Sequence, residues 1–243
     1  MIPGFHGVRE VLIRGEIKIQ ELWIAQEKKS VRIQEIIGIA RERNISVTFK
    51  KGSELSRLLP DTAHQGIVAL AERFRYSELD RIIDISLKAQ EKALLIAADH
   101  VTDEGNLGSL IRTAAFFGAH GMIIPKDRSA GVSSKVLKRS SGACMSLPIT
   151  RVVNMGRALD LLRSRGFWVI GASGESSEPI YRFDWDRDLV LVLGSEQRGL
   201  SRSIQKRCDQ VVAIPSPGVV ESLNVAVAEG VILSEIIRQR KTL

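Results

Sequence analysis

The chain has only two cysteines, Cys144 and Cys208, in 243 residues, and its four histidines, His6, His64, His100 and His120, are scattered. Neither C-x-x-C nor H-x-x-x-H spacing occurs, so a disulfide scaffold is excluded and no metal site is expected. Long apolar runs are also missing. The longest stretch without Asp, Glu, Lys or Arg is the 13 residues from Thr113 to Pro125, short of the roughly 18 that a membrane span needs. Met1-Ile2-Pro3-Gly4-Phe5-His6 carries neither a basic nor an apolar leader segment, so a cytoplasmic location without membrane contact is expected. The sequence contains no G-x-G and no Gly-Lys dipeptide. The first absence removes the dinucleotide fingerprint and the second the Walker phosphate loop, which argues against a dehydrogenase and an NTPase. A Rossmann methyltransferase with a glycine-rich first loop is disfavoured on the same ground.

With 44% hydrophobic and 26% charged residues, the composition is that of a globular protein of one large or two unequal domains. Lys and Arg number 35 against 28 Asp and Glu, a net +7, which favours a polyanionic partner. The excess is local. Lys126, Arg128, Lys135, Lys138 and Arg139 face a single acid, Asp127, and Arg198, Arg202, Lys206 and Arg207 have no acid between them. Either group could equally be a solvated helix face.

Residues 1–74 read as a small three-layer α/β module. Val11 to Ile13 suggest a helix, Leu22 to Ala25 a strand, and Ser30 caps a helix that turns Ile33, Ile36, Ile37 and Ala40 to one side. Ile45 to Phe49 and Gly66 to Ala71 read as strands around a short helix from Ser53 to Leu59. Polar residues 72–78 form a linker, and residues 75–90 a connection whose helix Ser77 caps. From residue 91 to 243, apolar runs at Ala93–Ala98, Gly121–Ile124, Phe167–Ile170, Leu189–Leu193 and Val211–Ile214 alternate with helical patterns at Leu107–Phe117, Met155–Arg165 and Ser222–Arg238. Short buried strands alternating with helices predict an α/β fold with a mostly parallel sheet covered on both faces.

Such sheets take ligands beyond the carboxyl ends of their strands, and three strand exits stand out. In the first, Asp103 to Ala114, Asn106 is the expected N-cap and Arg112 sits in an apolar helix, where burial requires an anion or a salt bridge to Asp99 or Glu196. In the second, Gly194 and Gly199 flank Glu196, in a pattern that a simple turn would also produce. The third, Ile214 to Ala226, has two prolines and Gly218 before Ser222 and Asn224; one of that polar pair can cap the helix, and the other needs a different reason to be there. Cys208 reads as a small buried residue, because no His or Lys motif marks an activating partner.

In this order the three segments resemble the signature motifs of the SpoU (TrmH-like) branch of the SPOUT superfamily, the S-adenosylmethionine-dependent RNA ribose 2′-O-methyltransferases. Asn106-x-Gly108-x-x-x-Arg112-Thr113-Ala114 is similar to the first motif, Leu193-Gly194-Ser195-Glu196-x-x-Gly199-Leu200 to the second, and Ile214-Pro215 through Glu221-Ser222-Leu223-Asn224-Val225 to the third. One departure is Gln197-Arg198, where many members carry a glycine after the acid. The resemblance implies a C-terminal trefoil knot, a homodimer through the catalytic domain and no metal. It implies S-adenosylmethionine bound at Gly194, Ile214, Leu223, Gly199 and Gly218, with backbone groups of the first three against it. It places Arg112 beside the target ribose, with Asn106, Ser222 and Asn224 orienting and Glu196 supporting. Gly7 to Leu12, Glu21 to Trp23 and His64-Gln65-Gly66-Ile67-Val68-Ala69 are similar to the ribosomal-protein-like RNA-binding extension of the subgroup that methylates a guanosine of 23S ribosomal RNA. A plain turn would also account for His64 to Gly66. The implied partner is RNA, ribosomal rather than transfer RNA. The alternatives are a transfer-RNA ribose methyltransferase and a non-catalytic knotted RNA-binding or assembly protein.

Overall fold

The computed structural model describes the chain apart from residues 16, 17, 29, 61–63, 72, 73, 196, 197, 220, 221, 242 and 243. The described chain forms two compact units, Met1–Phe74 and Arg75–Leu243.

The first unit comprises β1 (Ile2–Pro3), α1 (Phe5–Arg14), β2 (Ile19–Ala25), α2 (Val31–Glu42), β3 (Ser46–Lys50), α3 (Gly52–Leu58) and β4 (Ile67–Ala71). Its sheet has the order β1-β4-β2-β3, with β2 parallel to β3 and antiparallel to β4. Period-2 alternation separates two cores. Leu22, Ile24, Ile67 and Ala69 pack with α1 and α2, while Ala25 and Val68 pack with Leu55 of α3 on the other face. The Ser30 side chain accepts from the Ile33 N–H and caps α2, whose buried residues are Ile33, Ile36, Ile37 and Ala40. His64 to Gly66 form a structural turn. Gln65 and Gly66 have positive φ, His64 Nδ1 accepts from the Gly66 N–H at 3.1 Å, and the Ile67 N–H donates to the His64 carbonyl. The two-residue strand β1 is too short for periodicity to reveal.

The second unit comprises α4 (Leu79–Leu87), β5 (Leu94–Ala98), α5 (Glu104–Phe116), β6 (Gly121–Pro125), α6 (Ser134–Arg139), β7 (Ile149–Val152), α7 (Met155–Ser164), β8 (Trp168–Ala172), β9 (Leu189–Leu193), α8 (Arg202–Gln205), β10 (Gln210–Val212) and α9 (Val225–Arg240). All pairings in its six-stranded sheet, β10-β8-β9-β5-β6-β7, are parallel. Leu95, Ala97, Val190 and Val192 pack on one face against Ile82 and Ile83 of α4, Leu159 and Leu162 of α7 and Ile204 of α8. Leu94, Ile96, Leu189 and Leu191, of opposite parity, are also buried. On that side α5 packs on β6 and carries α6 and α9 beside it.

The connecting helix α4 is part of this core, because Ile82 and Ile83 are fully buried. Each such side chain contributes about 1.5–3 kcal/mol. Ser77 does not cap it. Glu78 holds the N-cap position without a side-chain bond, and the Ser77 N–H donates to the Ile149 carbonyl at the start of β7. At the far end of α9, Arg240 donates to the carbonyls of Trp185, Lys92, Ala93 and Arg187 and pins the helix to the amino ends of the central strands. Among the described residues no helix is long and apolar enough to cross a membrane.

Candidate functional site

From β5 the chain moves outward through β6 and β7, then returns to the other side of β5 for β8 and β9. The carboxyl ends of β5 and β9 therefore form the crevice where strand order reverses. The Asp99 N–H donates to the Leu193 carbonyl at 2.7 Å, so the exits of these two strands are in contact. Those exits lead into the first and second segments singled out by sequence.

At the first exit, Asp103 and not Asn106 is the N-cap of α5, accepting from the Asn106 N–H at 2.7 Å. A carboxylate three residues upstream makes the stronger cap at the positive end of a helix. Asn106 instead meets the third segment through its side chain. Asn224 caps α9 with Oδ1, which accepts from the Ala226 N–H at 3.0 Å, and its Nδ2 donates to Asn106 Oδ1 at 2.9 Å. Because the cap must use oxygen, the amide orientations of both residues follow. Residues 118 apart thus join the first turns of α5 and α9. Ser222 and Leu223 are exposed just before this bond, as is Gly218 in the preceding loop.

Arg112 is not in a buried stripe. Leu107, Gly108, Leu110, Ile111 and Ala114 form the buried face of α5 and turn Arg112 outward. The alternative of a salt bridge to Asp99 does not hold, since the 2%-exposed Asp99 carboxylate pairs with His100 Nδ1 at 2.7 Å. Glu196, the other acid considered, lies outside the described residues, as does Gln197. Among the described residues no carboxylate lies within ion-pairing distance of Arg112. Its Nη1 donates instead to Ser141 Oγ at 3.2 Å. One turn back, Ser109 accepts from Arg139 Nε at 3.3 Å. Asn224–Asn106, Ser109–Arg139 and Arg112–Ser141 thus place three hydrogen-bonded pairs in a polar strip along α5, exposed except at half-buried Asn106 and Ser109.

In the second segment, Ser195 and Gly199 exchange two backbone hydrogen bonds, at 3.1 and 2.8 Å, and Gly199 has φ +60°. A Cβ on Gly194 would lie 2.1 Å from the Gly199 carbonyl carbon, so this tight loop admits no side chain there. The third segment begins at half-buried Ile214, two residues past the end of β10.

The helices that carry parts of the two basic groups pack in different places, α6 against α5 and α8 in the core with α7. Arg139 and Lys135 belong to α6 beside α5, and Lys135 lies 3.9 Å from Glu104. Arg202 belongs to α8, whose Ile204 packs in the α7 core, and the following Arg207 donates to Asp160 at 3.2 Å. Only the first group borders the polar strip. Burial, with adjacent Asp209, pushes the Cys208 thiol up to about 11, and burial raises Cys144 as well. Neither is a poised nucleophile. No cluster of metal-ligating side chains occurs among the described residues.

One buried group gave no sequence signal. Glu229, one turn beyond Val225 on the inner face of α9, is fully buried, and neither carboxylate oxygen has a hydrogen-bond partner among the described residues. Desolvation raises its pKa well above the usual carboxylate range. A folded-state pKa above the unfolded value means that stability is fully present below the unfolded pKa and lost as pH rises through the folded one. While the folded state keeps this proton, stability falls by about 1.4 kcal/mol per pH unit above the unfolded pKa. Glu229→Met is expected to flatten that slope and to be more stable than the parent at pH 8. Denaturant unfolding at pH 5 and pH 8 measures it, and equal pH slopes in both proteins would reject a protonated buried carboxyl.

Comparison with known proteins identifies the strip's setting. The model of the SpoU rRNA Methylase family matches residues 93–234. The chain belongs to this family. A second family model, RNA 2′-O ribose methyltransferase substrate binding, matches residues 1–77. Among SpoU relatives, the 23S rRNA (guanosine-2′-O-)-methyltransferase RlmB of Ralstonia nicotianae is 37% identical, over 99% of this chain and 96% of that protein. The putative TrmH family tRNA/rRNA methyltransferase YacO of Bacillus subtilis is 34% identical, over 98% and 95%. The crystal structure of the SpoU methyltransferase AviRb from Streptomyces viridochromogenes, in complex with AdoMet, superposes with a TM-score of 0.72. It is 28% identical, with 100% of this chain and 90% of that one covered. Within the matched residues, the Asn106–Asn224 bond joins the first and third segments.

Proposed function

We propose that this protein transfers a methyl group from S-adenosylmethionine to a ribose 2′-hydroxyl in RNA, with a guanosine of 23S ribosomal RNA as the target. The observation that carries the reading is the Asn224–Asn106 hydrogen bond, which aligns two distant motif segments beside exposed Arg112. The near full-length likeness to RlmB, including the first 77 residues, supports ribosomal over transfer RNA and an RNA-binding role for the first unit. A cytoplasmic site of action accords with that substrate. The return of the chain from edge strand β10 to α9, which packs on α5, supports a trefoil knot.

The loop residues suit the cofactor. Gly194 has no room for a side chain and Gly199 has a left-handed backbone, so at these two positions the exit offers peptide groups rather than side chains. Backbone groups of Gly194, Ile214 and Leu223 would hold S-adenosylmethionine, with Gly199 and Gly218 shaping its loops. When bound, it supplies a methyl group activated by a sulfonium.

The protein's own residues then have to align the ribose and manage negative charge on its oxygen. Guanidinium groups keep their proton at physiological pH, so Arg112 serves as a fixed cation that stabilises the developing alkoxide and grips an adjacent phosphate. Proton loss passes to phosphate or water. Asn106, Asn224 and Ser222 orient the ribose through hydrogen bonds, and Glu196 supports Arg112 or its own loop. The protein works as a homodimer through the second unit, and the half-exposed Val227 of α9 supplies apolar surface for the contact.

Calorimetric titration is expected to show binding of S-adenosylmethionine and none of NAD or ATP. Absence of heat with S-adenosylmethionine and its demethylated product, using folded protein, would remove the enzyme reading. Sedimentation at micromolar concentration is expected to give a dimer, and a stable monomer would contradict that part.

A further inference from the structure

The turn after α6 is built closely onto α5. A Cβ on Gly108 would lie 2.6 Å from Arg139 Cβ and 3.1 Å from the Val136 carbonyl oxygen, so the two helices cross where only glycine fits. The turn is anchored from beneath. Ser140 is fully buried, and its hydroxyl donates to the Leu137 carbonyl at 3.0 Å and meets Cys144 Sγ at 3.0 Å. The Ser141 N–H donates to the Lys138 carbonyl, and Gly142 has φ +81°. Between these anchors Ser141 itself adopts φ +49°, a left-handed backbone uncommon for a residue other than Gly, Asn or Asp. That conformation costs energy and persists only where the surroundings impose it. Here it accompanies a hydroxyl held 3.2 Å from Arg112 Nη1, which has no carboxylate within reach among the described residues.

We propose that Ser141 is a positioning residue that holds the Arg112 guanidinium in the orientation needed for methyl transfer. The inference rests on the reading of Arg112 given above. An exposed arginine on a helix samples many rotamers, and ordering it only when RNA arrives would cost entropy at each encounter. A neutral hydroxyl orients the cation without neutralising it. The pinned α5–α6 crossing transmits the register of one helix to the other, so the hydroxyl's place is fixed by the fold.

The test uses the full-length protein with Ser141→Ala, Ser141→Gly and Ser141→Asn. Ser141→Gly relieves the left-handed backbone and removes the hydroxyl, so the melting temperature should rise while kcat falls roughly tenfold, within the range for misplaced reacting groups. Ser141→Ala should show the same loss of kcat, with the KM for RNA and the affinity for S-adenosylmethionine changed less than about twofold. Ser141→Asn, which tolerates a left-handed backbone and supplies a carbonyl acceptor, should recover most of the rate. In an Arg112→Ala background, Ser141→Ala should add nothing. A Ser141→Gly protein with parental kcat would overturn the inference, as would an undiminished Ser141→Ala effect without Arg112.

A readout independent of turnover separates this inference from the enzyme reading. Side-chain 15N relaxation should show an ordered Arg112 guanidinium in the parent and a mobile one in Ser141→Gly. Equal mobility overturns the role of Ser141. A parent that methylates no RNA overturns the proposed function, while the relaxation comparison still decides whether Ser141 positions Arg112.

Discussion

Arg112→Ala is expected to lower turnover on RNA by roughly two to three orders of magnitude, the scale for losing one preorganised donor to a developing charge. The affinity for S-adenosylmethionine should change little, because the groups proposed to hold it are backbone atoms of other loops. Stability should hardly move either. Arg112 is exposed and its Nη1 donates to one hydroxyl at 3.2 Å, and surface substitutions of this kind shift stability by only about 0.5 kcal/mol. Arg112→Lys should recover a fraction of the rate, because a point charge lacks the planar fork that can reach phosphate and ribose together. Turnover and melting temperature measured on the same preparations decide the matter. Near-parental turnover in Arg112→Ala ends the assignment.

The second large effect is expected at Gly194. An alanine there would place its Cβ 2.1 Å from the Gly199 carbonyl carbon, and 2.3 Å from both the Gly199 oxygen and the Leu200 nitrogen. All three atoms are backbone, so no rotamer change relieves the clash. The Ser195–Gly199 hydrogen bonds must break or the β9 exit must move. The cost should be about 3 kcal/mol, at the upper end for overpacking a tight site. Displacing this exit should also abolish S-adenosylmethionine binding in the protein that remains folded. Thermal unfolding combined with calorimetry on the folded fraction reads both effects. Parental cofactor affinity in Gly194→Ala would remove the Gly194–Gly199 loop from the cofactor site.

The parallel sheet of the second unit was legible because its strands are short apolar runs buried on both faces, and Leu189–Leu193 has the same limits in sequence and structure. Asn154 likewise caps α7 as its position before Met155 implies. Reading failed where two residues competed for one role. Asp103 and Asn106 are both cap formers, and periodicity cannot say which carboxylate or amide reaches the free N–H groups. The same limit applied to Ser222 and Asn224, where the structure gives the cap to Asn224 and a second bond to its remaining amide nitrogen. Arg112 was expected to be buried because the residues around it are apolar. Phe116 on the outer side of α5 carries no polarity signal, and it is 82% exposed. Ser141 and Glu229 had no signal at all, since one depends on a left-handed backbone and the other on the helix that covers it. The Asn106–Asn224 contact joins residues far apart in the chain, and only the motif resemblance gave reason to consider them together.

The central claim, methylation of a guanosine ribose in 23S ribosomal RNA, is tested most directly by mapping ribose methylation across total RNA from cells with and without this protein. The account predicts that one 2′-O-methylguanosine disappears from 23S ribosomal RNA in its absence and returns with the parent protein but not with Arg112→Ala. A ribosomal RNA methylation map that is identical in both cells, or a loss confined to transfer RNA, would contradict it.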